Sequence, residues 1–124
     1  MDSGGEMAVH IEDTDNRRVL RVEGPLDLAN APVLLQALVG AMQAGATDAA
    51  TGRPTVVDLA GVTSVDLCGL QLVCSAHRTF RARGGDIGLR EMPAWFRQAA
   101  VAAGFTMGTL ECRYRRGDDC LWRE

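Results

Sequence analysis

Few residues in this chain are able to do chemistry, and their spacing limits what that chemistry is. Cysteines stand at positions 68, 74, 112 and 120 and histidines at 10 and 77. No Cys-x-x-Cys pair anchors a zinc site, so a metal centre drawn from His77 and the cysteines lacks the spacing such sites use. His77 follows Leu70 and Val73 at helical spacing and reads as a residue at the edge of a core. The sequence has no Gly-x-Ser-x-Gly elbow, no phosphate-cradling glycine loop with lysine, and no His-Glu-x-x-His. The reading is therefore of a protein that is not an enzyme and needs no metal and no cofactor.

The informative stretch is 56–74. A β-branched run ends at Leu59, a loop carrying Thr63 and Ser64 follows, and Asp66 stands where a helix begins. Asp66 is placed to cap that helix, whose unpaired first-turn N–H groups make a local positive end. A hydroxyl there would carry a phosphate comfortably, and adding or removing it would switch a binding surface. The next residues are Leu67 and Cys68. In one reading both pack the start of the helix. In a second, Leu67 is an apolar contact on a permanently available docking surface. In a third, Cys68 at a helix N-terminus is a redox-sensitive thiol. Thr63 and Ser64 are loop-forming polar residues that also offer hydroxyls for modification.

The elements that must position these residues follow from pattern and punctuation. Residues 1–6 are expected to be frayed. A strand over 7–12, a turn over 13–18 and a strand through Val19, Leu20 and Val22 make a hairpin ended by Gly24-Pro25. Asn30 is set to cap a helix with Pro32 in its first turn. Ala31, Leu34, Leu35, Leu38 and Met42 then recur at helical spacing, before a loop over 45–54. Thr55 to Leu59 is a short buried strand. A helix from about Gly69 to Arg83 closes at Gly84-Gly85. Ile87 and Leu89 mark a strand, and Pro93 opens a helix with Phe96, Ala99, Ala100 and Ala103 on one face, ended by Gly104. The order is β-β-α-β-α-β-α, an α/β fold with a small, mixed, partly parallel sheet flanked by helices. Residues 105–124 read as an irregular or hairpin tail that brings Cys112 towards Cys120, with Leu121 and Trp122 tucked back on the core.

Composition sets the outer bounds. At 124 residues the chain fits one domain, and 47% hydrophobic with 23% charged residues is ordinary for a globular protein. A net charge of −3 argues against nucleic acid or an anionic membrane as the main partner. All 13 basic residues are arginines. Arg78, Arg81, Arg83, Arg90 and Arg97 outnumber Asp86 and Glu91 locally, a solvated helix face or a surface for an acidic partner. The first residues lack a signal-peptide pattern and no apolar run approaches a membrane span, so a cytoplasmic protein with reduced thiols is expected.

The segments Asp58-Leu59-Ala60-Gly61-Val62 and Asp66-Leu67-Cys68-Gly69-Leu70 resemble the signature of the STAS family, the anti-sigma-factor antagonists and their relatives. Gly24-Pro25-Leu26-Asp27 is similar to the family's turn before its first helix. The resemblance covers roughly residues 7–105 and implies a small mixed sheet flanked by helices. It implies a protein partner, a kinase-type anti-sigma factor or a related signalling complex, met by Asp66, Leu67, Cys68 and Gly69 together with Asp27. Phosphorylated antagonists carry Ser or Thr after the aspartate. Leu67 stands there, so the resemblance implies a docking surface without the usual phospho-switch. Two alternatives remain: an accessory subunit of an ABC-type lipid-transport complex, or a thiol-based redox sensor through Cys68. Oligomeric state is left open.

Overall fold

The computed structural model describes residues 6–14, 16–47, 54–83, 85 and 87–105. Four strands and three helices alternate as expected: β1 (Ala8–Asp13), β2 (Arg18–Leu26), α1 (Ala31–Thr47), β3 (Thr55–Val65), α2 (Leu67–Ala82), β4 (Ile87–Arg90) and α3 (Ala94–Ala102). The tail reading, with Cys112, Cys120, Leu121 and Trp122, lies outside the described residues, as do positions 1–5 and 48–53.

The strands line up in the order β1-β2-β3-β4, with β1 antiparallel to β2 and the other pairs parallel. Thr14 closes the first hairpin. Its amide donates to the Arg17 carbonyl at 2.9 Å, while its hydroxyl accepts from the Arg17 amide at 3.1 Å. Such side-chain bonds to nearby backbone are why a short polar run turns instead of continuing a strand. Across the parallel strands the register places Leu20 beside Val57 and Val57 beside Leu89. Successive residues of a strand point to opposite faces. This row therefore enters the core with Val22, Leu34, Leu38, Leu59, Leu70, Val73, Phe80 and Phe96. One residue further on, Arg21, Asp58 and Arg90 form a row on the other face, with His10 opposite Arg21. Ion pairs run over it, Arg21 to Glu12 at 3.0 Å and Arg90 to Asp58 at 2.9 Å.

Three boundaries differ from the sequence reading. β2 does not stop at Gly24-Pro25 but continues to Leu26, and β3 does not stop at Leu59 but continues to Val65. The two extensions pair with each other, Glu23 with Gly61 and Leu26 with Val65, through register shifts at Arg21/Glu23 and Gly24/Pro25. Irregularities of this kind absorb a residue that cannot join a regular ladder. Gly24 takes φ +104, open to glycine at little cost, and a Cβ there would lie 2.7 Å from the Glu6 carbonyl oxygen. Thr63 and Ser64 accordingly belong to the end of β3 and not to a loop. The third difference is α1, which runs on to Thr47 through the expected loop at Gly45. One helical glycine costs about 1 kcal/mol and does not end a helix held by burial elsewhere.

His77 is buried on α2 and Phe105 is buried after α3, where Gly104 takes φ +92. The expected helix end at residues 83–85 is present, the Gly85 amide donating to the Phe80 carbonyl at 2.8 Å.

Candidate docking site

The site is built where β2 turns into α1 and β3 turns into α2, at the same end of two adjacent parallel strands. Asp66 joins the two turns. One carboxylate oxygen accepts the Gly69 amide at 3.0 Å, capping α2 from an extended backbone conformation (φ −120, ψ −178). The other accepts the Leu28 amide from the β2–α1 turn, also at 3.0 Å. The Asp66 amide in turn donates to the Leu26 carbonyl at 3.2 Å. A Ser or Asn cap would satisfy the helix but would lack the second anionic oxygen that holds Leu28.

Gly69 makes this closeness possible. A Cβ there would lie 2.5 Å from the Leu26 carbonyl oxygen, 2.8 Å from Leu26 Cγ and 3.1 Å from Val65 Cγ2. The glycine of the Asp-x-x-Gly-Leu segment therefore lets the first turn of α2 press on the end of β2. Leu70 follows it into the core.

Asp27 organises the other turn. Its Oδ1 accepts both the Asn30 amide at 3.1 Å and the Asn30 side-chain amide at 3.0 Å. Its carbonyl accepts the Ala31 amide at 2.8 Å, leading the chain into α1. Asn30 sits directly before α1, at the position expected of the cap, but the side chain that accepts an amide there is Asp27's, while Asn30 accepts the Val33 amide through its carbonyl at 3.0 Å. Its side chain also reaches away from the helix, Oδ1 accepting the Met7 amide at 3.2 Å.

Of the residues singled out in the sequence, Asp66, Leu67, Cys68 and Gly69 form the start of α2, and Asp27 lies in the turn tied to it. Leu67 is 52% exposed and Cys68 is half-buried. Thr63 and Ser64 are exposed on β3, Ser64 opposite Pro25. The residue that sequence reasoning missed is Leu28, 68% exposed beside Asp27 and tethered to Asp66. The available signal was an apolar side chain in a turn whose neighbours are polar or small. Two leucines thus stand exposed on turns fastened by a single carboxylate.

Elsewhere the arginine excess is divided. Arg78 and Arg83 are exposed, whereas Arg90 is tied to Asp58. Burial alone would push the Asp58 carboxyl up, but the Ala60 amide, the Arg90 guanidinium and the field of Arg21 outweigh it and hold it below its ordinary value. Among the described residues no three His, Cys, Asp or Glu side chains are grouped to hold a metal ion. None of the described helices is long and apolar enough to cross a membrane.

A four-stranded, partly parallel sheet flanked by helices, with a capped turn at the end of adjacent parallel strands, is the architecture of a STAS domain. The family model described as "Mlab, STAS domain" matches residues 9–110, and the chain belongs to this STAS family. STAS domains of this kind are generally non-enzymatic. The fold is similar to that of an anti-sigma factor antagonist from Mycobacterium paratuberculosis, at 23% identity and TM-score 0.62, covering 84% of this chain and 83% of that one. It is also similar to the unphosphorylated anti-sigma factor antagonist SpoIIAA, at 20% identity and TM-score 0.53, covering 73% and 79% of the two chains. Part of the protein Mglu matches at 30% identity and TM-score 0.53, covering 70% of this chain but 20% of that longer one. The comparison with curated proteins gave no match.

Proposed function

We propose that the chain acts as one non-enzymatic STAS module that docks onto a kinase-type anti-sigma factor or a related signalling complex, and does so without a Ser/Thr phospho-switch at the start of α2. The observation that carries this reading is that Leu67 stands half exposed as the first residue of α2, directly after the capping Asp66; the family resemblance puts the hydroxyl of phosphorylated antagonists at this position. A leucine accepts no phosphate, so no charge can be added there to break an apolar contact. Asp66 and Gly69 hold the turn, Leu67 with Cys68 supplies its surface, and Asp27 shapes the neighbouring turn.

The test is affinity capture from lysate with and without ATP, followed by binding measurements on the purified partner with wild type and Leu67→Asp. Burying the exposed half of a leucine contributes about 1 kcal/mol, and forcing a carboxylate into the same contact adds a desolvation cost of about 1–3 kcal/mol. Binding weakened by roughly thirtyfold or more to an ATP-binding anti-sigma factor supports the reading. Unchanged affinity sinks it. Recovery of a membrane ABC ATPase in place of the kinase would assign the module to a transport complex instead.

A further inference from the structure

Asn30, the last residue of the β2–α1 turn, is a buried polar group, 7% exposed, and its carboxamide faces two ways. Oδ1 accepts the amide of Met7, the residue just before β1, and Nδ2 donates to Oδ1 of Asp27. Asp27 is bonded through its peptide to Leu28, whose amide is held by Asp66 Oδ2, and Asp66 Oδ1 holds Gly69. A continuous relay therefore runs from the start of β1 to the start of α2. Each bond that a buried carboxamide makes is costly to lose, so a change at one end of the relay bears on the other. Gly24 adds a steric lever at the same place. Its missing Cβ is what lets Glu6 and Met7 lie against the end of β2, since that atom would stand 2.7 Å from the Glu6 carbonyl oxygen and 3.1 Å from Met7 Cα.

We infer that Asn30 is a positioning residue for the docking surface. It couples the seating of Met7 beside β2 to the presentation of Leu28 and Leu67, so the chain before β1 governs how firmly that surface is held. The function assigned to the coupled surface rests on the reading proposed above, but the coupling is a property of the free protein. Lifting Met7 from its place takes one bond from Asn30 and so loosens its hold on the Asp27 turn, on the Leu28 leg of the Asp66 bridge and, through the freed carboxylate, on the Gly69 cap. A partner or an added segment that pulls on the chain at Met7 would weaken docking without touching either leucine.

The experiment is residue-resolved amide hydrogen exchange on free, full-length Asn30→Ala and Gly24→Ala. Ala100→Gly in α3 serves as a control that lowers global stability elsewhere, and urea melts put all three on one stability scale. Loss of one bond's support corresponds to about tenfold faster opening. Exchange at Leu28 and Gly69 about tenfold faster in both variants than in the stability-matched control, with Val57 unchanged relative to that control, supports the coupling. Rates at Leu28 and Gly69 equal to the control in either variant would overturn it. Because no partner is involved, failure of the docking reading (unchanged affinity of Leu67→Asp) and failure of this coupling are read in separate experiments.

Discussion

Replacing Gly69 by alanine puts one methyl group where the structure has no room for it. The new atom would meet the Leu26 carbonyl oxygen at 2.5 Å and Leu26 Cγ at 2.8 Å, well inside the roughly 3.5–4 Å of an unstrained contact. The first of these is backbone in a paired strand, and the Leu26 side chain is fully buried, so neither rotates aside. The start of α2 must therefore move away from β2, at an overpacking cost of about 1–3 kcal/mol. That movement also pulls the Gly69 amide from Asp66 Oδ1, and losing a cap costs about 1 kcal/mol. Alanine's better helix propensity returns about 1 kcal/mol. The net is a destabilisation of about 1–3 kcal/mol, which lowers Tm by roughly 4–12 °C in a domain of this size. Thermal melting followed by far-ultraviolet circular dichroism, with urea midpoints alongside, reads it directly. A Tm equal to or above that of wild type would refute the claim that this glycine is present for close approach.

Gly40→Ala in α1 is the matched opposite: its Cβ meets nothing within 4 Å, so urea midpoints should show about 0.5–1 kcal/mol of stabilisation. Asp66→Ala removes the acceptor for both Leu28 and Gly69 and should cost about 1–2 kcal/mol in the same assay. Leu67→Asp, placing an acid at a helix N-terminus on an exposed site, should shift stability by less than about 0.5 kcal/mol, keeping its binding defect separate from folding. The Asp58 carboxyl titrates below its ordinary value when folded, so its contribution is complete above about pH 4 and is lost as pH falls through the depressed value. Urea midpoints between pH 5 and about 2 should therefore fall less steeply for Asp58→Asn than for wild type.

The element order was legible because each core-facing run carries its period plainly, as in Leu34, Leu38 and Leu70, Val73. The lengths of β2 and β3 were not, and the reason is mutual. Gly24-Pro25 and Ala60-Gly61 each read as punctuation when taken alone. In the sheet they belong to extensions that pair with one another, where a Cβ on Gly61 would come within 2.9 Å of Glu23 Cγ and 3.0 Å of the Val22 carbonyl oxygen. Local breakers in facing strands can be requirements of close pairing, and no single-segment pattern reports that. The site was half legible. Asp66 as a helix cap follows from its place before an apolar run, while its second role at Leu28 depends on a contact between turns far apart in sequence. Asn30 was legible as a cap position, but its bond to Met7 spans the whole first hairpin.

The bridge at Asp66 also has a consequence for how the chain reaches its native state. The β1–β2 hairpin is closed by a four-residue turn and can form on a timescale of microseconds, whereas β2 meets β3 only after the crossover through α1 has been closed. Leu28 belongs to the first segment and Gly69 to the second, so the shared carboxylate has both its donors only after that late step. Leu28 and Leu67 therefore come together as a pair late in folding. A chain stalled with the hairpin formed and the crossover open offers a partner no joined surface, and docking through the paired leucines reports that the crossover has closed.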